Sequence, residues 1–278
     1  MTLRTRFAGM VAATHPIPGA SVTALVAVLV AARGAGPSTL VWAVASTAAG
    51  QASVGWSNDY LDRFEDARVG RRKKPLVAGN VSATLIARAA AVAFGASVAL
   101  SVPLGLPETG VMGAAVASAW AYNAGLKRTA ASWLPYAVSF GLLPVYVWLS
   151  TGSVPPGWLV GGAALLGVAG HLTNVLPDLE EDAVSGRRGL PHRLGPRASL
   201  LAACTLLVAV LGLILVAGGT WRAPSPGSWI AAVVAAGLIG GVFVSVRGGR
   251  PRAGFYLTIA AAAAIAAVLI LSLPVAAE

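Results

Sequence analysis

All of the ten acidic residues of this 278-residue chain except Glu108 and Glu278 fall into two short clusters. Asp59, Asp62, Glu65 and Asp66 form one, and Asp178, Glu180, Glu181 and Asp182 the other. Around them a pattern repeats. Asn58, Asp62, Asp66, Gly70, Arg71, Arg72, Pro75 and Gly79 recur 116 positions later as Asn174, Asp178, Asp182, Gly186, Arg187, Arg188, Pro191 and Gly195. Written once, it is NxxxDxxxDxxxGRRxxPxxxG. Residues at i, i+4 and i+8 lie along one side of a helix, so each copy predicts a polar ridge, with Asp59 beside the first. Carboxylates and an amide oxygen, without a Cys or His cluster, suit a hard cation such as Mg²⁺, which keeps several waters and bridges protein carboxylates to phosphate. The cations that follow, Arg71, Arg72, Lys73, Lys74, Arg187 and Arg188, supply what a diphosphate needs. Two such ridges facing each other across a cavity would make a diphosphate clamp.

The elements that must position these residues are apolar. Charged residues make up 11 % of the chain and apolar ones 56 %, with a mean hydropathy of +0.76, whereas soluble domains are about one quarter charged. The composition is that of an all-α integral membrane protein. The net charge of +10 does not point to nucleic acid, because the basic residues lie between apolar runs and form no continuous stripe. Windows of about 20 residues mark nine candidate spans near 16–33, 38–57, 82–103, 108–126, 132–151, 157–177, 198–218, 227–246 and 254–274. The connections at 104–107, 152–156 and 219–226 are short and carry Pro or Gly, as turns between adjacent helices should. The links 58–81 and 178–197, which hold the motifs, are longer and charged.

Placing the N-terminus in the cytoplasm puts every Lys and Arg except Arg33 and Arg222 on or near that side, which agrees with an odd number of spans. Both motifs then face the cytoplasm, on a multi-pass protein of the plasma or inner membrane. The run after Arg4 and Arg6 is long enough to be a retained first helix rather than a cleaved leader. Cys204, the single cysteine, lies in an apolar run and reads as a small buried hydrophobe.

The first cluster, with KKPLVAG after it, resembles the NDxxDxxxD motif and the basic-Pro-Leu segment of the UbiA superfamily of intramembrane prenyltransferases. DLEED at 178–182 resembles its second, DxxxD, motif, and YNAGLKR at 122–128 its YxxxxK element. The likeness spans nearly the whole chain. It implies one domain, residues 1–278, of nine helices around a central, lipid-accessible cavity with both acidic motifs at its cytoplasmic mouth. It also implies Mg²⁺-dependent transfer of a prenyl group from a polyprenyl diphosphate to a small aromatic or lipid-like acceptor. Carried over residue by residue, Asn58, Asp59, Asp62, Asp66, Asn174, Asp178 and Asp182 would hold Mg²⁺ and diphosphate. Lys74, Lys127, Arg71 and Arg187 would contact phosphate oxygens. The segment GRRKKPLVAG departs from the commoner family form, closer to NRPxRPIxSG, which leaves the subfamily open.

Other readings stand beside these. Tyr122 either faces the allylic cation through its ring or anchors its helix at the interface. His15, before Pro16, reads as a helix-start residue at the interface, with a place in the acceptor pocket as the alternative; His171 reads as a polar packing residue, with a ligand role as the alternative. The tryptophans mostly mark span ends. A cyclase would use the same ionisation but let the substrate's own double bond capture the cation. A cation-coupled transporter would instead need broken helices near the bilayer midplane.

Overall fold

The computed structural model describes residues 2–184, 186, 188–222 and 225–272, the side chains at 180, 183 and 184 excepted. Arg187, an expected phosphate contact, lies outside the described residues. Among those residues every regular element is helical: α1 (Leu3–Ala12), α2 (Pro16–Ala32), α3 (Pro37–Arg68), α4 (Ala83–Ala99), α5 (Leu106–Ala124), α6 (Leu134–Leu149), α7 (Gly157–Val175), α8 (Leu179–Val184), α9 (Leu190–Ala217), α10 (Pro226–Arg247) and α11 (Pro251–Ser272). Short 3₁₀ turns stand at Val102–Leu104, Leu126–Arg128 and Leu176–Asp178. Proline occupies the first turns of α2, α3, α5, α9 and α10, where its missing N–H costs nothing.

Five helical segments are long and apolar enough to cross a bilayer: Ala83–Leu104, Gly157–Asp178, Leu190–Ala217, Pro226–Arg247 and Pro251–Ser272. A sixth is reached if α1 and α2, bent by 62°, count as one span. The expected nine are therefore not reached by length and hydropathy among the described residues, and the reasons are local. The region expected as span 38–57 is folded into the 32-residue α3, where Ser46, Thr47, Gln51, Ser53 and Ser57 dilute its apolar character. α5 is diluted by Glu108, Thr109 and Asn123. α6 is only 16 residues long and contains Pro144.

The chain resolves into two compact units, Met1–Leu126 with Tyr146–Ser153, and Lys127–Val145 with Val154–Glu278. In the first, α3 packs between α2 and α4 and also touches α5. Its small and polar side chains are inward-facing and paired. Ser53 Oγ donates to the Ala90 carbonyl at 2.8 Å and accepts from Trp120 Nε1 at 3.0 Å. Small residues at helix interfaces let backbones approach closely, and Gly55 is the extreme case: a Cβ there would lie 2.5 Å from the Thr14 carbonyl. This contact seats the α1–α2 bend on α3, and Trp56 Nε1 fastens it by donating to the Met10 carbonyl at 2.9 Å. Ala13, Val81 and Ile86 form the core beneath, with Met10, Trp56, Tyr60 and Leu76 against it.

In the second unit α10 packs along α11, and α7 along α9. Leu176, Leu200 and Val242 form a core flanked by Cys204, Val246 and Leu257; the cysteine packs against this core but is half-buried rather than buried as expected. α9 is kinked at Gly195, whose φ of 78° and ψ of 169° interrupt the helix before Pro196.

Candidate functional site

The first acidic motif is a buried ridge on the last turns of α3. Asp59, Asp62 and Asp66 are 2 %, 3 % and 1 % exposed, while Phe64, on the opposite side, is 74 % exposed. Spacings of three and four residues put the three carboxylates on one face, as the sequence predicts. Asn58 Nδ2 reaches Asp62 Oδ2 at 3.4 Å and donates to Asn123 Oδ1 at 3.2 Å. Asn123 in turn donates to the Val54 carbonyl (3.0 Å) and to Ser57 Oγ (2.8 Å). This buried asparagine of α5 fixes the start of the motif. Sequence reasoning passed over it in favour of its neighbour Tyr122, which is half-buried on the same helix. An amide inside an apolar helix was the available signal.

Cations enter the ridge from two other segments. Lys74 Nζ donates to Asp59 Oδ1 at 2.5 Å and lies 3.8 Å from Asp66 Oδ2. Arg71 Nη1 donates to Asp66 Oδ1 at 3.1 Å. His15, in the left-handed region with φ 53°, places Nε2 3.0 Å from Asp59 Oδ1. The same Nε2 lies 3.4 Å from Lys74 Nζ. His15 is thus both a helix-start residue and part of the acidic site.

These neighbours split the ridge electrostatically. Burial pushes the Asp59 carboxyl upward, but the His15 hydrogen bond and the Lys74 charge outweigh it and leave it below the usual carboxylate range. At Asp66 burial prevails: with the like charge of Asp62 it overcomes Lys74 and Arg71 and holds the carboxyl above its ordinary value.

The second motif differs from the first despite identical spacing. α7 ends at Val175, the chain tightens into the 3₁₀ turn Leu176–Asp178, and α8 follows. Pro177 is the cause, because its nitrogen cannot donate to the carbonyl four residues back. A 3₁₀ turn advances about 120° per residue instead of about 100°, so Asn174, Asp178 and Asp182 do not form the straight ridge expected. The Asp178 side chain is 42 % exposed, with Arg252 Nη2 3.9 Å away. Asp182 is buried, and His192 Nε2 stands 3.7 Å from its Oδ2. His192 was not singled out in the sequence, although it lies between the repeated Pro191 and Gly195.

Around this motif Asn174 Nδ2 donates to Tyr136 Oη at 3.2 Å, and the Tyr136 ring lies 4.8 Å from that of His171. Ser132 Oγ accepts the Leu190 N–H at 2.8 Å and is hydrogen-bonded to His171 Nε2 at 3.0 Å. His171 is buried and hydrogen-bonded, as a polar packing residue should be. Lys127 is buried in the turn Leu126–Arg128.

The shared glycines carry the geometry that the repeat has in common. Gly70 and Gly186 have φ of 75° and 82°, and Gly79 and Gly195 have 73° and 78°. Each pair turns the chain through the left-handed region that other residues resist. The repeat therefore shares left-handed glycines at matching positions, although Gly79 lies in the turn before α4 and Gly195 kinks α9.

No group of three His, Cys, Asp or Glu side chains among the described residues is gathered to hold a metal ion by itself. The donor set of the first motif nevertheless fits a hard cation. It is all oxygen, and Asp59 Oδ2 is buried without a hydrogen-bond partner, an acceptor for which an oxygen-seeking ion would compensate.

Helices of bilayer-spanning length on an otherwise apolar chain, with a buried acidic ridge met by Lys and Arg, mark a polytopic membrane protein with a charged site. The chain belongs to the UbiA prenyltransferase family, whose family model matches residues 20–258. No curated protein matches the chain. Among solved structures, the apo UbiA homologue of Aeropyrum pernix is similar with a TM-score of 0.74 at 19 % identity, covering 91 % of this chain and 97 % of that one. The Archaeoglobus fulgidus UbiA homologue bound to GPP and Mg²⁺ has a TM-score of 0.71 at 17 % identity, covering 95 % and 100 %. The same homologue bound to DMAPP and Mg²⁺ has a TM-score of 0.69 at 16 % identity, covering 92 % and 98 %.

Proposed function

We propose that this chain transfers a prenyl group from a polyprenyl diphosphate to a small aromatic or lipid-like acceptor inside the membrane, with Mg²⁺ as cofactor. The observation that carries this reading is the buried ridge of Asp59, Asp62 and Asp66, with Lys74 and Arg71 on it and one carboxylate oxygen unmatched. Family membership and the fold shared with a homologue that binds GPP and Mg²⁺ support it. Asp59, Asp62 and Asp66 with Asn58, and Asp178 and Asp182 with Asn174, are the proposed ligands of metal and diphosphate. Lys74, Arg71, Lys127 and Arg187 are the proposed phosphate contacts.

Bound Mg²⁺ would neutralise the diphosphate and so make it a better leaving group. As the C1–O bond breaks, its electron pair leaves with the diphosphate, and the side chains of Lys74 and Arg71 meet that growing charge where it develops. The allylic cation forms a bond with the electron-rich acceptor, which then loses a proton. Apolar helices keep water away until that bond has formed, since water would convert the cation to a prenol. Tyr122 is the proposed aromatic neighbour of the cation.

The reading includes a single functional domain over both units, nine membrane crossings with the more polar α3, α5 and α6 among them, and a cytoplasmic N-terminus in the plasma or inner membrane. The test incubates purified protein with Mg²⁺, a panel of prenyl diphosphates and a membrane lipid extract, and identifies products by mass. A prenylated acceptor with diphosphate release, lost in Asp62→Asn and Asp178→Asn, is expected. Turnover unchanged by those substitutions overturns the reading, and a cyclised hydrocarbon formed without acceptor replaces transfer by cyclisation.

A further inference from the structure

α1 has ten residues, about 15 Å of helix, too short to cross roughly 30 Å of hydrocarbon. It departs from α2 by 62°, and His15 at the bend is bonded to Asp59. α1 therefore lies at the level of the first acidic motif, closer to perpendicular than parallel to the helix it precedes. One side of it faces protein: Gly9 is buried, with Val81 and Asn80 beside its Cα, and the Met10 carbonyl accepts from Trp56.

The other side is apolar and uncovered. Leu3, Phe7 and Val11, spaced by four, are 84 %, 71 % and 44 % exposed. Arg4 and Arg6 are exposed on the same helix, which contains no acid, and neither forms an ion pair among the described residues. Leu3, Arg4, Arg6, Phe7, Met10 and Leu85 of α4 line a groove of about 570 Å³. A short helix with an apolar ridge and unmatched cations, set at a membrane face, has the chemistry of an interfacial helix that attracts anionic headgroups.

We propose that this groove binds an anionic phospholipid of the adjoining leaflet. An acyl chain lies on Leu3, Phe7, Met10 and Leu85, and the phosphate sits between Arg4 and Arg6. The two guanidinium groups select the class: the groove offers two positive charges and no carboxylate for a choline or ethanolamine. The site is separate from the acidic ridge and does not depend on the reaction proposed above.

Native mass spectrometry of the purified full chain in neutral detergent tests this, with dioleoyl phosphatidylglycerol and dioleoyl phosphatidylcholine as probes. Phosphatidylglycerol is expected to bind the wild type preferentially. From the usual attraction of each arginine to an anionic surface, the R4Q/R6Q double variant should lose that preference by roughly 30-fold. R4K/R6K should retain most of it, and F7S should weaken both lipids alike. Wild-type lipid preference in R4Q/R6Q, with an unchanged melting temperature, overturns the proposal. If R4Q/R6Q melts early, equal preference in R4K/R6K and in an unfolded control does so instead. A lipid-free dimer abolished by F7S assigns the groove to a second copy and also overturns it.

Discussion

Lys74 Nζ and Asp59 Oδ1 stand 2.5 Å apart, at a carboxylate that is only 2 % exposed and whose second oxygen accepts no hydrogen bond. Asp59 is thus half neutralised by the protein and half open to another cation. Lys74, 22 % exposed, is the more exposed partner and also approaches Asp66.

Lys74→Met should act in two directions. Removing one partner of a buried pair strands the other charge and costs about 3 kcal/mol or more, so the metal-free protein should melt earlier. The same change removes a competitor for Asp59, so Mn²⁺ binding without substrate, read by electron paramagnetic resonance, should tighten. Turnover with a prenyl diphosphate should fall at least tenfold. Unchanged Mn²⁺ affinity together with unchanged melting contradicts the role.

His15 combines a backbone φ of 53° with a bond to Asp59, and the two can be separated. Asparagine tolerates the left-handed region better than most residues, whereas alanine keeps the strain and loses the bond. His15→Ala should lose about 1–2 kcal/mol of stability, and His15→Asn distinctly less. Both should reduce turnover, because Asp59 loses its second partner. Equal melting temperatures for the two variants would remove the backbone part of this account.

The sequence disclosed much of this site through residue type and spacing. Acids at 59, 62 and 66 can share a face only on a helix, and α3 runs unbroken through them. The same logic failed at 174, 178 and 182, because Pro177, between Asn174 and Asp178, replaces an α-helical turn by a 3₁₀ turn. Contacts between distant segments, such as His15 to Asp59 or Ser132 to Leu190, have no local signature. Span counting fell short for a related reason: α3 satisfies its hydroxyls on its own carbonyls, as at Thr47 and Ser57, and on neighbouring helices, as at Ser53, which a hydropathy window scores only as polarity.

Ser132 serves two partners at once, the Leu190 N–H and His171 Nε2. Ser132→Ala removes one hydrogen bond from each in a buried setting and should cost about 2 kcal/mol. The loss should not add to that of His171→Phe, since the variants share one bond. Thermal melting of the two single variants and the double variant measures this, and strict additivity would refute the shared network.

The two acidic motifs should answer differently to neutralisation although both are proposed to serve one diphosphate. Asp66 is buried beside Asp62 with its carboxyl pushed above the usual range, so its charge is held against burial and a like neighbour. Asp66→Asn keeps the shape and removes that charge. The metal-free protein should melt no earlier than wild type, even as turnover falls about 100-fold or more. Asp178 is 42 % exposed, and changes at exposed positions usually stay within about 0.5 kcal/mol, so Asp178→Asn should also leave melting unchanged while abolishing turnover. Asp182 is buried beside His192. Asp182→Ala opens a buried site next to that ring and should lower both stability and turnover. Melting curves and product assays on the three variants separate the cases, and a marked stability loss in Asp66→Asn would show that its charge supports the fold rather than a ligand.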